Sequence, residues 1–310
     1  MSLAPMTHGG GPSAFTTLVL GGTVLVARSF DAHEVLQRIE RYQVTELWLP
    51  PSALALLVDH PDVASFNLSN LRLVTLGASA VSIETLRRAV NVLGPCIVHS
   101  YGQIEASFIT LFDKETLAAA VRGELPEALL ASSGRTLGLN RVAVMGAAGR
   151  LAQPGDEGEI VVRGACVKRY LDSSATAAAR ESGWHHTGDL GYLDEEGFLF
   201  VTGRLRDVVN VAGFKVPAAQ VERTILELTA VQDCAVVAVP DVARGEVTKA
   251  IVTLRNGSSV LPAEVIAHCR ARLGARKAPH VVEIWPELPL LAAGKVDKQA
   301  LRRLTSSRVR

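Results

Sequence analysis

The sequence predicts an α/β protein with a largely parallel sheet, followed by a small antiparallel sheet or barrel and a final α+β unit. Strand-like and helix-like segments alternate over residues 17–102, as in proteins with parallel sheets. Short alternating strands separated by glycines begin near residue 134. A compact helix-and-strand pattern follows residue 207. We place the boundary between the two domains at Arg206.

The first region contains two α/β units. An apolar, β-branched segment at 17–27, broken by a Gly-Gly pair, precedes a helix pattern from Phe30 to Tyr42. A buried strand, a strand running into a small-residue turn, a helix and a further strand follow at 45–50, 71–80, 83–93 and 96–102. This alternation favours a mainly parallel order for the strands.

A β-hairpin at 190–201 has an Asp-Glu-Glu-Gly turn at 194–197. Asp189 precedes its first strand and Arg204 follows its second. Pro217 then begins a helix, because proline is tolerated at the first helical position. In the rest of the chain, the segments CAVVAVPD and KAIVTLR are predicted strands, and PAEVIAHCRARL is a predicted second helix. The last segment, LPLLAAGKVDKQALRRL, is predicted to form a loop and then a short basic helix.

Composition limits the classes of function. The 310 residues carry a net charge of +1, which gives no reason to expect a nucleic-acid partner. No apolar run approaches the length of a membrane span, and the N-terminus lacks the pattern of a signal peptide. The cysteines form no CxxC pair and indicate reduced thiols in a cytoplasmic protein; they are Cys96, Cys166, Cys234 and Cys269.

Two familiar motifs are incomplete. The HGGG at 8–11 could form the oxyanion loop of an esterase, but the nearest candidate nucleophile segment, at 77–81, lacks its second glycine. A plain turn is therefore the simpler interpretation, and a serine hydrolase is a distant alternative. The sequence also contains no G-x-x-x-x-G-K-[ST] phosphate loop, since Lys295 is followed by valine.

Several polar residues suit a nucleotide. Asp189 can accept hydrogen bonds from a vicinal diol, and Arg204 can bind a phosphate or ribose oxygen, although a surface ion pair is equally compatible. In YGQIEAS, Tyr101 can stack on a flat ring and Glu105 can hold Mg²⁺, or the tyrosine can simply pack its loop. Lys295, in a loop near the C-terminus, can act as a movable charge or remain solvated.

The order and spacing of these motifs resemble the adenylate-forming superfamily. That superfamily includes acyl-CoA synthetases, 4-coumarate–CoA ligases, firefly luciferase and the adenylation domains of peptide synthetases. The resemblance covers essentially the whole chain and is most specific in GWHHTGDLGYLDEEGFLFVTGRLRDVV. It implies that residues 1–205 are the remaining part of a large AMP-binding domain, with a β-rich subdomain at 134–205, and that 207–310 form a mobile C-terminal domain.

The resemblance also implies roles for individual residues. Tyr101 would stack on adenine, Asp189 would hold the ribose hydroxyls, and Arg204 would lie near the ribose and phosphate. Glu105 would bind Mg²⁺, and Lys295 would contact the carboxylate and α-phosphate during adenylation. Gly77, Ala78 and Ser79 would flank adenine and the acyl pocket, and Arg206 would be the hinge. Gly213 and Phe214 would line the pantetheine tunnel, and His8 would lie near the acyl and thioester route.

Two half-reactions follow from the resemblance. A carboxylic acid and ATP, with Mg²⁺, would give acyl-AMP and pyrophosphate, and CoA would then give acyl-CoA and AMP. Small and apolar residues around 48–57 and 77–81 favour a fatty or aromatic acid over an amino acid. An acyl-CoA synthetase is thus the first hypothesis, and an inactive AMP- or CoA-binding remnant that acts as an interaction module is the second.

The sequence departs from the family pattern in three respects. About two hundred residues that family members carry before this segment, including a phosphate loop with a lysine, have no counterpart here, so we expect little adenylation by this chain alone. Ile104 stands where the family usually has threonine, and Asn210 where many plant ligases have lysine. Apolar faces that normally pack on the absent part favour a homodimer or aggregation.

Overall fold

The structure of the protein is a computed structural model. It describes residues 1–3, 6–7, 9–27, 29–79, 81–146, 149–169, 183–291 and 296–306. The chain divides into two compact units, which comprise Met1–Thr187 with Tyr192–Val201 and Gly188–Gly191 with Thr202–Arg310. None of the helices within the described ranges combines the length and the hydropathy that a membrane span requires.

Five strands form the main sheet of the first unit. In their spatial order, which is also chain order, β1 to β5 are Glu46–Leu49, Leu73–Leu76, Ile97–Gln103, Ser107–Phe112 and Arg135–Thr136. Strands β1, β2 and β3 run parallel, whereas β4 and β5 extend the sheet in antiparallel pairings. The predicted α/β class is confirmed, and the parallel order holds for the first three strands. Only residues 104–106 separate β3 from β4, so this connection is a hairpin rather than a crossover.

Within the described part of the first unit, five helices pack around this sheet. They are α1 to α5, at Gly10–Val19, Ala32–Arg41, Pro51–Val58, Ile83–Leu93 and Lys114–Val121. Asp31, Ser82 and Asp113 cap α2, α4 and α5, because each side chain accepts a hydrogen bond from the backbone N–H three residues later. The apolar faces of α2, α3 and α4 bury leucines in one core with the parallel strands.

Residues 17–27 do not form the predicted strand-like segment. Their first part completes α1, and only Val26 makes an isolated bridge within the rest. Local hydrogen bonds explain the difference: the hydroxyl of Thr17 donates to a carbonyl one helical turn earlier, at 2.9 Å. The N–H of Gly22 then donates to the carbonyl of Thr17 at 2.8 Å, just after the last helical residue. Helical bonding overrides the β preference of these branched side chains.

A second sheet contains the hairpin that the sequence predicts. Its strands, in spatial order, are β6 to β9, at Asn140–Met145, Gly158–Gly164, His185–Leu193 and Leu199–Arg204. Asp194 stabilises the turn by accepting a hydrogen bond from the N–H of Phe198 at 2.7 Å. Both strands of the hairpin are longer than predicted. Asp189 therefore lies inside β8 rather than before it, and Arg204 is the last residue of β9 rather than beyond it. Both compact units contribute residues to these two strands.

The second unit is built on a five-stranded sheet. Strands β10 to β14 are Val208–Val211, Phe214–Pro217, Val231–Asp241, Gly245–Leu254 and Val281–Ile284. Their order is β11-β10-β13-β12, with β14 parallel to β13. Helices α6, α7 and α8 are Ala218–Ile225, Pro262–Leu273 and Lys298–Ser306. Pro217 ends β11 and lies directly before α6. Buried side chains of α6 and α7 share one core with the sheet, and Leu301 of α8 belongs to another.

Candidate functional site

The base of the β8–β9 hairpin holds an ion pair. The Nε of Arg204 donates to Oδ1 of Asp189 at 2.9 Å. The carboxylate is nearly buried, with 5% of the side chain exposed, whereas 43% of the arginine side chain is exposed. A buried carboxylate is costly unless it is paired, so the guanidinium compensates a charge that the fold holds in place. The exposed part of the arginine remains accessible to a ligand.

The residues between β9 and β10 are tied to the last helix. Arg206 lies in a short 3₁₀ turn, Leu205–Asp207, that immediately follows Arg204. The carboxylate of Asp207 accepts a hydrogen bond from Arg302 at 2.8 Å, and Lys298 lies 3.7 Å away. Both cations come from α8. Sequence reasoning missed this network, because nearly one hundred residues separate Asp207 from its partners.

The Gly213 and Phe214 pair lies at the turn between β10 and β11. Gly213 has a φ of +85° and Ala212 has a φ of +49°, so both central residues of the turn are left-handed. Two such residues are typical of a tight two-residue hairpin. Phe214 begins β11, and the guanidinium carbon of Arg276 lies 5.7 Å from its ring centroid. The turn alone explains the glycine.

Tyr101 and Glu105 belong to the β3–β4 hairpin of the first unit. The ladder has an irregularity between Tyr101 and Gly102. A Cβ atom on Gly102 would lie 2.2 Å from the carbonyl oxygen of Ser107, so the close approach of the two strands requires glycine here. The carbonyl of Glu105 accepts a hydrogen bond from the N–H of Val167 at 2.7 Å.

Gln103, in the same motif, makes a contact that the sequence did not reveal. Its side-chain Nε2 donates to the carbonyl of Thr187 at 2.8 Å, and its Oε1 lies 3.4 Å from a ring nitrogen of His185. Thr187 precedes Asp189 by two residues in β8. Gln103 thereby fixes the backbone of β8 at Thr187, within the first unit.

The segment from Gly77 to Ser79 follows β2. Ala78 has a φ of +77°, a left-handed conformation that is unusual for a residue with a Cβ atom. The hydroxyl of Ser100, in the middle of β3, donates to the carbonyl of Leu76, the last residue of β2, at 2.8 Å. Strained backbone of this kind is concentrated at ligand sites, so its position after a parallel strand supports a functional role.

His99 is a buried titratable group behind this segment. Burial lowers the pKa of His99, while backbone hydrogen bonds to Ser79 and Ser132 act in the opposite direction. Its Nδ1 has no hydrogen-bond partner within the described residues. This buried imidazole lies two residues before Tyr101. Sequence reasoning passed over His99 because its pattern is that of a buried strand.

The sequence also singled out His8 and Lys295 as site residues, and Ile104 and Asn210 as departures from the family pattern. His8 and Lys295 lie outside the described residues, although Gly9 is described and contacts Trp48 so closely that a Cβ atom would lie 2.2 Å from the indole ring. Ile104 is 72% exposed, and Asn210 is exposed on β10. The apolar side chain of Ile104 therefore does not contribute to the core, which leaves its presence in the hairpin without a packing explanation.

The fold is that of a mixed α/β protein with a separate C-terminal α+β unit, and comparison with known families identifies it. A model described as AMP-binding enzyme matches residues 1–171, and a model described as AMP-binding enzyme C-terminal domain matches residues 220–295. The chain belongs to the AMP-binding enzyme family, the adenylate-forming superfamily. The resemblance expected from the sequence is confirmed.

The relatives that the chain matches include a CoA ligase and a CoA synthase. The chain is 34% identical over 307 residues to a medium/long-chain-fatty-acid–CoA ligase, FadD8, of Mycobacterium tuberculosis; the match covers 96% of this chain and 52% of the relative. It is 32% identical over 305 residues to a feruloyl-CoA synthase of an Amycolatopsis species; this match covers 97% of this chain and 60% of that relative. The chain thus spans between about half and three fifths of the length of these relatives.

Solved structures show the same fold. Amide bond synthetase McbA from Marinactinospora thermotolerans matches with a TM-score of 0.89 and 33% identity, covering 98% of this chain and 61% of that one. ATP-bound MatB from Rhodopseudomonas palustris matches with a TM-score of 0.87 and 25% identity. This match covers 100% of this chain and 60% of the MatB chain. The similarity extends over both units of the chain.

Proposed function

We propose that this chain carries the acyl-adenylate and thioester-forming part of an acyl-CoA synthetase, an acid–thiol ligase. The observation that carries the proposal is the buried carboxylate of Asp189, paired at 2.9 Å with a half-exposed Arg204 at the base of the hairpin. A buried acceptor beside an accessible guanidinium suits a ribose diol attached to a phosphate. Membership of the AMP-binding family supports adenosine as the nucleoside.

Further residues complete the nucleotide site in this proposal. Tyr101 stacks on adenine, and the Gly77–Ser79 segment flanks the ring and the acyl pocket. The left-handed Ala78 supports a backbone shaped for this contact. Gln103 holds the backbone of β8 at Thr187, two residues before Asp189 in the sequence.

Charge compensation is the main chemical need of adenylation. A carboxylate must approach an α-phosphate that is itself anionic, so cations must offset the repulsion. We assign Mg²⁺ to Glu105, whose hard oxygens suit that ion, and the movable charge to Lys295. Both assignments rest on the family match, and the ATP-bound relative MatB supports ATP as the co-substrate.

The acceptor step falls to the C-terminal unit in our proposal. Rotation at Arg206 moves Lys295 away and brings the turn at Gly213 and Phe214 to the pantetheine of CoA. Asp207, held by two cations of α8, anchors the rotating unit directly after the hinge. His8 lies along the acyl and thioester route. The CoA thiol attacks the acyl carbonyl, forms the thioester bond and expels AMP.

We infer a fatty or aromatic acid as the substrate. The fatty-acid ligase and the feruloyl-CoA synthase among the relatives support this class. The apolar residues of segment 48–57 agree with it. The similarity to an amide bond synthetase makes an amine the alternative acceptor to CoA.

Mass spectrometry of the purified chain tests the proposal. The chain is incubated with Mg-ATP, CoA and a panel of fatty and aromatic acids, and separately with preformed acyl-AMP and CoA. We expect acyl-CoA from acyl-AMP, reduced by at least about tenfold in Asp189→Asn because ribose binding weakens. Lys295→Ala, a matched control, should leave this second step intact. Acyl-amide from added amines without acyl-CoA would contradict a thiol acceptor.

A binding module without catalysis is the second candidate. Ile104 favours it, because an exposed isoleucine cannot supply the donor that threonine offers to the α-phosphate. In that case AMP or acyl-AMP would raise the melting temperature of the chain, yet no acyl product would form from either starting mixture. Ile104→Thr restores the donor and distinguishes a weakened enzyme from a module that lacks activity for other reasons.

A further inference from the structure

Two histidines and an aspartate meet on the surface of the first unit, at positions that the proposed function does not use. His33 lies in the first turn of α2, whereas His60 and Asp62 lie in the loop after α3. One ring nitrogen of each histidine and one carboxylate oxygen all lie within 4.8 Å of one another. His33 and Asp62 are exposed and His60 is half-buried, so an ion from solvent can reach the cluster.

The fold fixes the backbone that carries these side chains. Leu36 of α2 and Leu57 of α3 are fully buried in the same core, which holds the two helices together. The rings of His33 and His60 are 5.4 Å apart between centroids, with an angle of 40° between their planes. Their meeting therefore follows from core packing rather than from their own attraction.

Each histidine presents a lone pair on one nitrogen. Nδ1 of His60 accepts from the N–H of Asp62 at 3.2 Å, and Nε2 of His33 accepts from Nε2 of Gln37 at 3.1 Å. Both donors are neutral amides. Metal binding requires an unprotonated ring nitrogen, and a neutral imidazole carries one.

We propose that His33, His60 and Asp62 form a binding site for a late first-row divalent cation such as Zn²⁺. Imidazole nitrogens with a carboxylate oxygen suit this ion, whereas Mg²⁺ and Ca²⁺ prefer oxygen ligands alone. Tetrahedral bonds of about 2.0–2.1 Å bring donor atoms to roughly 3.3 Å from one another. Side-chain rotation of exposed residues supplies this contraction. Water takes the fourth position, and the ion clamps α2 to the loop after α3.

Simple aromatic packing is the competing explanation. The ring of His33 also meets the edge of Phe66, with centroids 5.4 Å apart and planes at 78°. If packing alone placed the rings together, phenylalanine would replace His33 without any change in the response to metal. His33→Phe therefore separates the two explanations, because it keeps a ring and removes the nitrogens.

Calorimetric titration of the full chain with ZnCl₂ tests the proposal, with thermal unfolding measured in parallel. We expect one saturable site per chain and a rise in melting temperature with zinc. His33→Phe and His60→Phe should each weaken binding by at least about tenfold, since even loss of a supporting contact costs 10–100-fold. Asp62→Asn, a surface change that should not affect folding, should weaken binding as well.

Two controls exclude other zinc ligands. His268, which lies 3.3 Å from Glu227 in the other unit, offers a matched histidine–carboxylate pair, and His268→Gln should leave the titration unchanged. Cys166, which is partly exposed, should likewise be replaceable by serine. Absence of a saturable site, binding that survives in both phenylalanine variants, or binding lost only in Cys166→Ser would overturn the proposal.

Discussion

The carboxylate of Asp189 and the guanidinium of Arg204 should be energetically coupled. Asp189→Asn and Arg204→Gln should each lower the free energy of unfolding by about 1–3 kcal/mol, below the value for a fully buried pair because Arg204 is half-exposed. Urea denaturation of the two single variants and the double variant gives the coupling energy, which we expect to be about 1–2 kcal/mol. Additive effects of the two substitutions would show that the pair does not hold the hairpin base.

His99 should make stability depend on pH. Its pKa in the folded state is lowered by burial below the ordinary value of 6.5, so the unfolded chain binds the proton more readily. The contribution of neutral His99 is complete above about pH 6.5 and is lost as the pH falls through the folded-state pKa. His99→Gln should therefore show a smaller loss of unfolding free energy between pH 7.5 and 5.5 than wild type. An unchanged loss would contradict this assignment.

The sequence singled out candidate site residues only where a motif surrounds them. Asp189, Arg204 and Tyr101 follow from motif order, although the sequence placed the first two outside the strands. His99, Gln103 and Asp207 gave no such signal. Their partners lie far away in the sequence or are backbone atoms, and spacing alone does not reveal such contacts.

At the scale of single elements, the β10–β11 turn offers a sharp test. Gly213 has a φ of +85°, so alanine there is forced into a strained conformation even though no atom lies within 4 Å of the added Cβ. Gly213→Ala should lower the unfolding free energy by about 1–2 kcal/mol, measured by urea denaturation. Gly203→Ala is the matched control, since its Cβ would make ordinary contacts at 3.6 and 3.7 Å. Equal effects of the two substitutions would refute a conformational cause.

The bounds of an element were predicted correctly where residues at its two ends mark where it begins and stops. The pattern of α4 matches its observed range from Ile83 to Leu93, because a serine cap and a following glycine mark its ends. The strand prediction for residues 17–27 was wrong, because apolar branched residues are compatible with both strand and helix. Periodicity could not show that α1 extends into this segment, nor that the sheet turns antiparallel after β3. Pairing partners for such short strands are decided by tertiary contacts.

At the scale of the whole molecule, α1 carries an apolar face that should promote association. Phe15, Leu18 and Val19 are 70%, 58% and 68% exposed, and Leu20 beyond the helix is 80% exposed. Burial of such a patch against a second copy is favourable, so light scattering should show a mass that rises with concentration. Phe15→Glu should shift the protein toward the monomer, whereas Val242→Glu, at an isolated exposed valine, should not. A monomer at all concentrations would contradict the expected dimer.

The division of chemistry between two half-reactions is the central claim. The 310 residues contain no G-x-x-x-x-G-K-[ST] motif. We propose that this chain makes few of the pyrophosphate contacts that adenylation uses, whereas thioester formation from acyl-AMP does not use them. Even one lost donor of this kind typically costs about 10²–10³ in rate. The most direct measurement compares acyl-CoA formation by this chain from acyl-AMP and from the same acid with Mg-ATP. We predict product from acyl-AMP and a rate at least about 10²-fold lower from acid and ATP. Equal rates, with stoichiometric pyrophosphate release, would contradict the account.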